Sequence, residues 1–78
     1  MPLAHPWDVL WFLERNAQLM VCEVRRAGNG LYEYEETEPA GGSRVERYHE
    51  ASELLDGYIR AQREKQREGW RPRLVSHT

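Results

Sequence analysis

The sequence predicts an α+β fold, a three- to four-stranded antiparallel meander followed by one C-terminal helix (ββββα). Apolar and polar residues alternate between about residues 10 and 49, which is typical of strands, and from residue 50 onward apolar residues recur at helical spacing. The stretches between the predicted strands are too short for parallel pairing, which needs crossovers of about a dozen residues. With 78 residues, the chain is expected to form a single small domain.

The start of the chain has two interpretations. Residues 1–9 are predicted to be an extended lead-in, and an apolar stretch follows. In one interpretation, Asp8 caps a helix of about two turns within residues 7–15. In the other, which we favour, Leu10–Arg15 is a strand, because its two aromatic residues suit a strand and the Asn-Ala pair after it can form a tight reversal.

The next three strands of the sheet, predicted over residues 10–49, follow from alternation and turn residues. Leu19–Arg26 alternates regularly between two faces, and the two glycines around Asn29 supply the positive backbone angles of a hairpin turn. Leu31–Thr37 is the next predicted strand. The loop Pro39–Ser43 separates it from a short fourth strand, Arg44–His49.

Residues 50–69 are predicted to form the helix, with an apolar stripe along one side. The positions at helical spacing are Ala51, Leu54, Leu55, Tyr58, Ala61 and Gln62. Gly69 suits the position just after a helix, and Pro72 prevents helical continuation. Gly57, which costs about 0.5–1 kcal/mol in a helix interior, is interpreted as a point of close packing against the sheet. Residues 70–78 are predicted to be a basic tail with loose final residues.

The net charge of −2 is unevenly distributed along the chain. Residues 1–59 carry five Arg against eleven acidic residues, whereas residues 60–78 carry six cations against two Glu. The basic end has two interpretations: a solvated helix end, whose cations suit the helix dipole, or a contact surface for the phosphates of nucleic acid. The candidate nucleic-acid contacts are Arg60, Arg63, Arg67, Arg71 and Arg73.

We predict no catalytic residue, metal site or cofactor, and we do not expect an enzyme. The three His lie far apart and, together with Cys22, lack the spacing of a metal site. A nucleophilic pair of Cys22 and His49 is conceivable if their strands are neighbours, but Cys22 is better explained as a small buried hydrophobic residue. A single cysteine excludes an intramolecular disulfide, and no apolar run reaches the roughly 18–20 residues that cross a membrane. We therefore expect a soluble, cytoplasmic protein.

One helix can cover only part of a four-stranded sheet, so the sequence favours a partner. Trp and Tyr are enriched in protein interfaces. The candidate interface residues are therefore Trp11, Tyr32, Tyr34 and Trp70. The predicted function is a non-catalytic interaction module that self-associates as a homodimer or binds another protein. The alternative is a nucleic-acid-binding domain that uses the basic helix end and tail.

Four segments of the chain resemble a group of short bacterial proteins of unknown function. These segments are Trp11–Glu14, Val21–Arg25, Leu31–Tyr34 and Glu68–Trp70. The resemblance covers residues 11–70 and implies a meander followed by a helix with a terminal Gly-Trp, without implying an activity. In architecture alone, ββββα is similar to the whirly and Pur-type domains that bind single-stranded nucleic acid, which implies dimers with basic or aromatic sheet surfaces.

Overall fold

The structure, a computed structural model, describes residues 8–73 and shows one antiparallel sheet with one helix packed across it. The elements are β1 (Val9–Arg15), β2 (Gln18–Arg26), β3 (Tyr32–Thr37), β4 (Ser43–Tyr48), α1 (Ala51–Arg67) and β5 (Arg71–Pro72). The strand order is β4-β3-β2-β1-β5, and all neighbours are antiparallel. The α+β class and the meander are confirmed, but the sheet has five strands rather than three or four. Most of the predicted lead-in and the end of the predicted tail lie outside the described residues.

The first element is a strand, as the favoured interpretation states, and it begins one residue earlier, at Val9. Arg15 lies opposite Gln18, so only two residues connect β1 to β2. These residues, Asn16 and Ala17, have φ values of 52° and 65°. Positive φ at both positions is the geometry of a type I′ turn, one of the two turn types whose twist matches that of the strands in a two-residue hairpin. The predicted reversal is therefore confirmed.

Both ends of α1 are fixed by hydrogen bonds that backbone N–H groups donate, to a side chain at the start and to a carbonyl at the end. At its start, Oε1 of Glu53 accepts from the backbone N–H of Glu50 at 3.3 Å, which satisfies a donor that has no partner inside the helix. At its end, Gly69 has a φ of 97°, and the N–H of Trp70 donates to the carbonyl of Lys65 at 3.0 Å. This is the Schellman arrangement, in which glycine is favoured because it has no Cβ. The predicted role of Gly69 is confirmed.

A short fifth strand follows the helix, and the sequence did not predict it. β5 lies along the outer side of β1, with Arg71 opposite Glu14. The N–H of Arg73 donates to the carbonyl of Phe12 at 2.9 Å. Trp70, immediately before β5, is buried, and its burial directs the chain back along the sheet. The first residues of the predicted basic tail are therefore part of the sheet.

The helix covers one face of the sheet, mainly across β3 and β4, and the core lies between the two layers. The buried apolar side chains are Leu13, Met20, Cys22, Tyr34, Leu54 and Trp70. The strand register places alternate residues on the opposite face, which no described helix covers. Within residues 8–73, no helix is both long and apolar enough to cross a membrane.

Candidate interaction surface

The four candidate interface residues divide into two pairs. Trp11 and Tyr32 are half-buried and pack against the core from its margin. Tyr34 and Trp70 are in the core itself, with 3% and 4% of their surfaces exposed. The expectation that all four face a partner is corrected for Tyr34 and Trp70, because both side chains are buried in the core.

A buried polar network lies beneath the helix and holds Trp11 in place. The hydroxyl of Tyr34 donates to Oε2 of Glu36 at 2.6 Å and accepts from Nε2 of Gln62 at 3.0 Å. Oε1 of Gln62 accepts from the indole N–H of Trp11 at 3.2 Å, and Nζ of Lys65 lies 3.6 Å from Oε1 of Glu36. Burial of the Tyr34 phenol, assisted by its bond to Glu36, raises the pKa of that phenol. Tyr34 is therefore a neutral donor that orients its neighbours rather than an acid or a base.

Cys22 is fully buried and does not form a nucleophilic pair. Burial raises the pKa of its thiol, so the reactive thiolate is disfavoured. β3 lies between β2 and β4, so Cys22 and His49 do not come from neighbouring strands. The conceivable Cys–His pair is therefore wrong, whereas the interpretation of Cys22 as a buried hydrophobic residue is confirmed. In the described part of the chain, no group of three His, Cys, Asp or Glu side chains could hold a metal ion.

An apolar groove of about 550 Å³ lies between α1 and the outer strands, where the helix leaves the sheet only partly covered. We call it the β1 groove. It is lined by Val9, Trp11, Val24 and Pro72 of the sheet and by Leu54, Leu55, Tyr58 and Gln62 of the helix. Because Gln62 already binds both Trp11 and Tyr34, the groove presents little polar chemistry of its own. Its mostly apolar walls can accept apolar side chains.

Among residues 8–73, several exposed apolar residues lie at β1 and along the helix that forms one wall of this groove. Val9 and Leu55 lie on the rim of the groove, and each is 51% exposed. Leu10, the next residue of β1 after Val9, is 52% exposed. We call Val9, Leu10 and Leu55 the apolar edge. Ile59, a further exposed apolar residue, follows Leu55 by one turn of the helix. Val9 and Leu55 lie on the side of the sheet that carries the helix, whereas Leu10 lies on the opposite face, so exposed apolar side chains flank the start of β1 on both sides.

The uncovered face of the sheet carries a charge network rather than an acidic patch. The guanidinium of Arg25 lies 2.8 Å from a carboxylate oxygen of Glu33, 2.8 Å from one of Glu35 and 3.2 Å from one of Glu23. Nε of Arg47 lies 2.7 Å from the other oxygen of Glu33. The bond from Arg47, together with that from Arg25, holds the pKa of Glu33 below its usual value despite partial desolvation. The acidic residues of β3 are thus largely paired on this face.

The five candidate nucleic-acid contacts do not lie on one surface. Arg60, Arg63 and Arg67 are exposed on the helix, which lies over one face of the sheet. Arg71 lies opposite Glu14, so it belongs to the other face. The fifth contact, Arg73, lies two residues after Arg71, immediately beyond β5. The predicted basic end is therefore divided between two sides of the molecule.

Sequence reasoning missed the β1 groove and the polar network. The signal for the network is present, because Glu36 is two residues after Tyr34 and therefore shares its inward face. The groove has no such signal, since it depends on the angle at which α1 crosses the strands. The alternation of apolar and polar residues along a strand does not determine that crossing angle.

No family model matches this chain, and neither a curated protein nor a solved structure matches it. The resemblance to short bacterial proteins therefore stays a prediction, as does the architectural similarity to single-strand-binding domains.

Proposed function

We propose that this protein is a non-catalytic interaction module that self-associates through its apolar edge. The observation that carries this proposal is that Val9 and Leu55, on the rim of the β1 groove, and Leu10, on the opposite face of β1, are all more than half exposed. A second copy that covered them would add the apolar burial that a chain of 78 residues otherwise lacks.

The difference between the two edges of the sheet supports this choice of surface. β4, at one edge, exposes the side chains of Arg44 and Arg47. Charged side chains on an edge strand oppose pairing with another chain, because pairing would desolvate them. The N-terminal half of β1 carries no such charge between Val9 and Phe12, and within residues 8–73 β5 pairs only with its C-terminal half. β1 is therefore the edge suited to a partner.

Nucleic acid remains the weaker proposal, because its five Arg contacts are divided between two faces and one face carries paired carboxylates. We place the module in the cytoplasm, an environment that suits a protein with one buried cysteine and no disulfide among residues 8–73.

Sedimentation velocity over a range of concentrations tests the proposal. We expect the mass to rise from that of the monomer, 9.2 kDa, toward twice that value. Leu10→Glu should shift this rise to higher concentration, because it places a charge in the apolar edge. Leu19→Glu is the matched control, since Leu19 is also exposed (38%) but lies at the hairpin between β1 and β2. A monomer at every concentration, or equal effects of the two variants, contradicts the proposal.

A further inference from the structure

We propose that residues 74–76 continue β5 along the outer side of β1 and cover the exposed apolar residues at the start of that strand. These residues follow Arg73 in the sequence and lie outside the described residues. The occupant of the open row beside β1 is then the next segment of the same chain, which competes with a second copy for the apolar edge. The competition rests on the proposed self-association, whereas the added strand does not.

The backbone of β1 provides this row with hydrogen-bonding groups. The N–H of Arg73 donates to the carbonyl of Phe12 at 2.9 Å, so the polar groups of Phe12 point away from β2. Residues two apart in a strand point their N–H and C=O to the same side, so those of Leu10 point away from β2 as well. Within residues 8–73, β5 pairs only with Leu13 and Glu14, and no strand lies beside Leu10 on this side. Leu10 thus offers one donor and one acceptor to a strand that continues β5.

The register of β5 determines which residues meet in the continued row. β5 runs antiparallel to β1, with Pro72 opposite Leu13. Continued without a bulge, this register sets Val75 opposite Leu10. Because the polar groups of Leu10 point into the row, this is a hydrogen-bonded pair, in which each residue donates to the carbonyl of the other.

The segment covers exposed apolar side chains on both faces of β1. Val9 is 51% exposed on the groove side, and Leu10 is 52% exposed on the opposite face. The register sets Leu74 opposite Trp11 on the groove side, diagonal to Val9. Val75 is then opposite Leu10 on the other face. A ligand or a helix on one face would cover only one of these two sides, whereas a strand in the plane of the sheet reaches both.

The charges along the row also agree with this register. Arg71 lies opposite Glu14 at one end of the row, and the register sets His77 opposite Asp8 at the other end. Like charges directly opposite each other destabilise a pair of strands, and neither position brings like charges together. An exposed apolar edge strand also invites pairing with other chains, so covering it within the chain limits that pairing.

Disulfide formation within one chain tests the added strand. In a hydrogen-bonded antiparallel pair the two Cα atoms lie about 5.5 Å apart, within the range that a disulfide spans. In the full chain with Leu10→Cys and Val75→Cys, oxidised glutathione should therefore produce a disulfide within the monomer. The full chain with Leu10→Cys and Ser76→Cys is the matched control, because adjacent residues of a strand point to opposite faces. The native thiol of Cys22 is buried and does not compete.

We expect the cysteine pair at positions 10 and 75 to close at least tenfold faster than the control pair, at equal protein concentration and with unchanged circular dichroism. Equal rates, or a faster control pair, would overturn the added strand and leave the proposed self-association intact. If Leu10→Cys alone links two chains as fast as the pair closes within one chain, a second copy occupies the row and the proposal also fails.

A chain that ends at Arg73 tests the competition. Without residues 74–78 the apolar edge is open, so sedimentation velocity should show self-association at least tenfold tighter than that of the full chain. Equal self-association of the two chains would overturn the competition. If both chains are monomers at every concentration and the pair at positions 10 and 75 still closes faster than its control, the added strand stands and the proposed self-association fails.

Discussion

The hydroxyl of Tyr48 occupies the space that a Cβ on Gly57 would need, so the last residue of β4 touches the backbone of the helix. The same hydroxyl donates to a carboxylate oxygen of Glu46, on the same strand. A larger residue at position 57 would push the helix away from the sheet. The close packing expected from a glycine inside the helix is therefore confirmed, and its partner is a tyrosine.

Gly57→Ala should destabilise the protein, although alanine is the better helix former by up to about 1 kcal/mol. The clash with the Tyr48 ring outweighs that gain, because overpacking typically costs about 1–3 kcal/mol. Urea denaturation measures the free energy of unfolding. In a Tyr48→Ala background the same substitution should become neutral or stabilising. A Gly57→Ala protein that is more stable than the original chain would contradict the role of this contact.

Arg15 holds the end of the helix against the start of β5. Its guanidinium stacks 4.5 Å from the centre of the Trp70 ring, and its Nη1 donates to the carbonyl of Glu68 at 2.7 Å. Arg15→Gln should lower the free energy of unfolding by about 1–2 kcal/mol, from the cation–π contact and the hydrogen bond together. Arg63→Gln, on the exposed side of the helix, is the control and should change it by less than about 0.5 kcal/mol. If Arg15→Gln and Arg63→Gln lower the free energy of unfolding equally, the contacts of Arg15 with Trp70 and Glu68 do not stabilise the fold.

Lys65 compensates the carboxylate of Glu36, which is buried beneath the helix. Lys65→Met should destabilise the fold by roughly 3 kcal/mol, because it leaves a buried charge that, within residues 8–73, keeps the Tyr34 hydroxyl as its hydrogen-bond donor but loses its cation. Adding Glu36→Gln should restore much of the loss, since an amide still accepts from Tyr34 and carries no charge. Thermal and urea unfolding of the two single variants and the double variant measure this coupling. Strictly additive effects would show that the two side chains act independently.

The charge network on the uncovered face makes stability depend on pH through Glu33. Because Arg47 and Arg25 lower the pKa of Glu33 in the folded chain, its ion pairs stabilise the fold above the unfolded-state pKa. This stabilisation is lost as the pH falls through the lower, folded-state value. Glu33→Gln should therefore be less stable than the original chain at pH 7, and the difference should disappear in strong acid.

The test measures the free energy of unfolding of Glu33→Gln and of the original chain at several pH values between pH 7 and strong acid. Glu38→Gln is the matched control, because Glu38 is exposed in the loop before β4 and forms no ion pair with the described residues. The free energy of unfolding of Glu38→Gln should equal that of the original chain at every pH. A constant difference for Glu33→Gln across the pH range would contradict the proposed titration.

The sequence predicted the elements whose signals are local. The alternation of β2, the hairpin at Asn16 and the cap at Gly69 each depend on residues close together in the chain, and the structure confirms all three. β5 was missed because two residues carry no periodicity; their position depends on the burial of Trp70 against distant strands. The expected exposure of Tyr34 failed for the same reason, since alternation assigns a residue to a face but does not say which face the helix covers.

Leu55→Glu should weaken self-association at least tenfold, because Leu55 contributes to the apolar edge from the helix side of the β1 groove. The free energy of unfolding of the monomer should change little, since Leu55 is half exposed before association. Raising the salt concentration should leave the association of the original chain unchanged or strengthen it, because apolar burial is not screened. Pairing through Arg44 and Glu46 on β4 would instead weaken steeply with salt. Sedimentation velocity at low and high salt separates the two edges: a salt-sensitive dimer that tolerates Leu55→Glu would move the interface to β4.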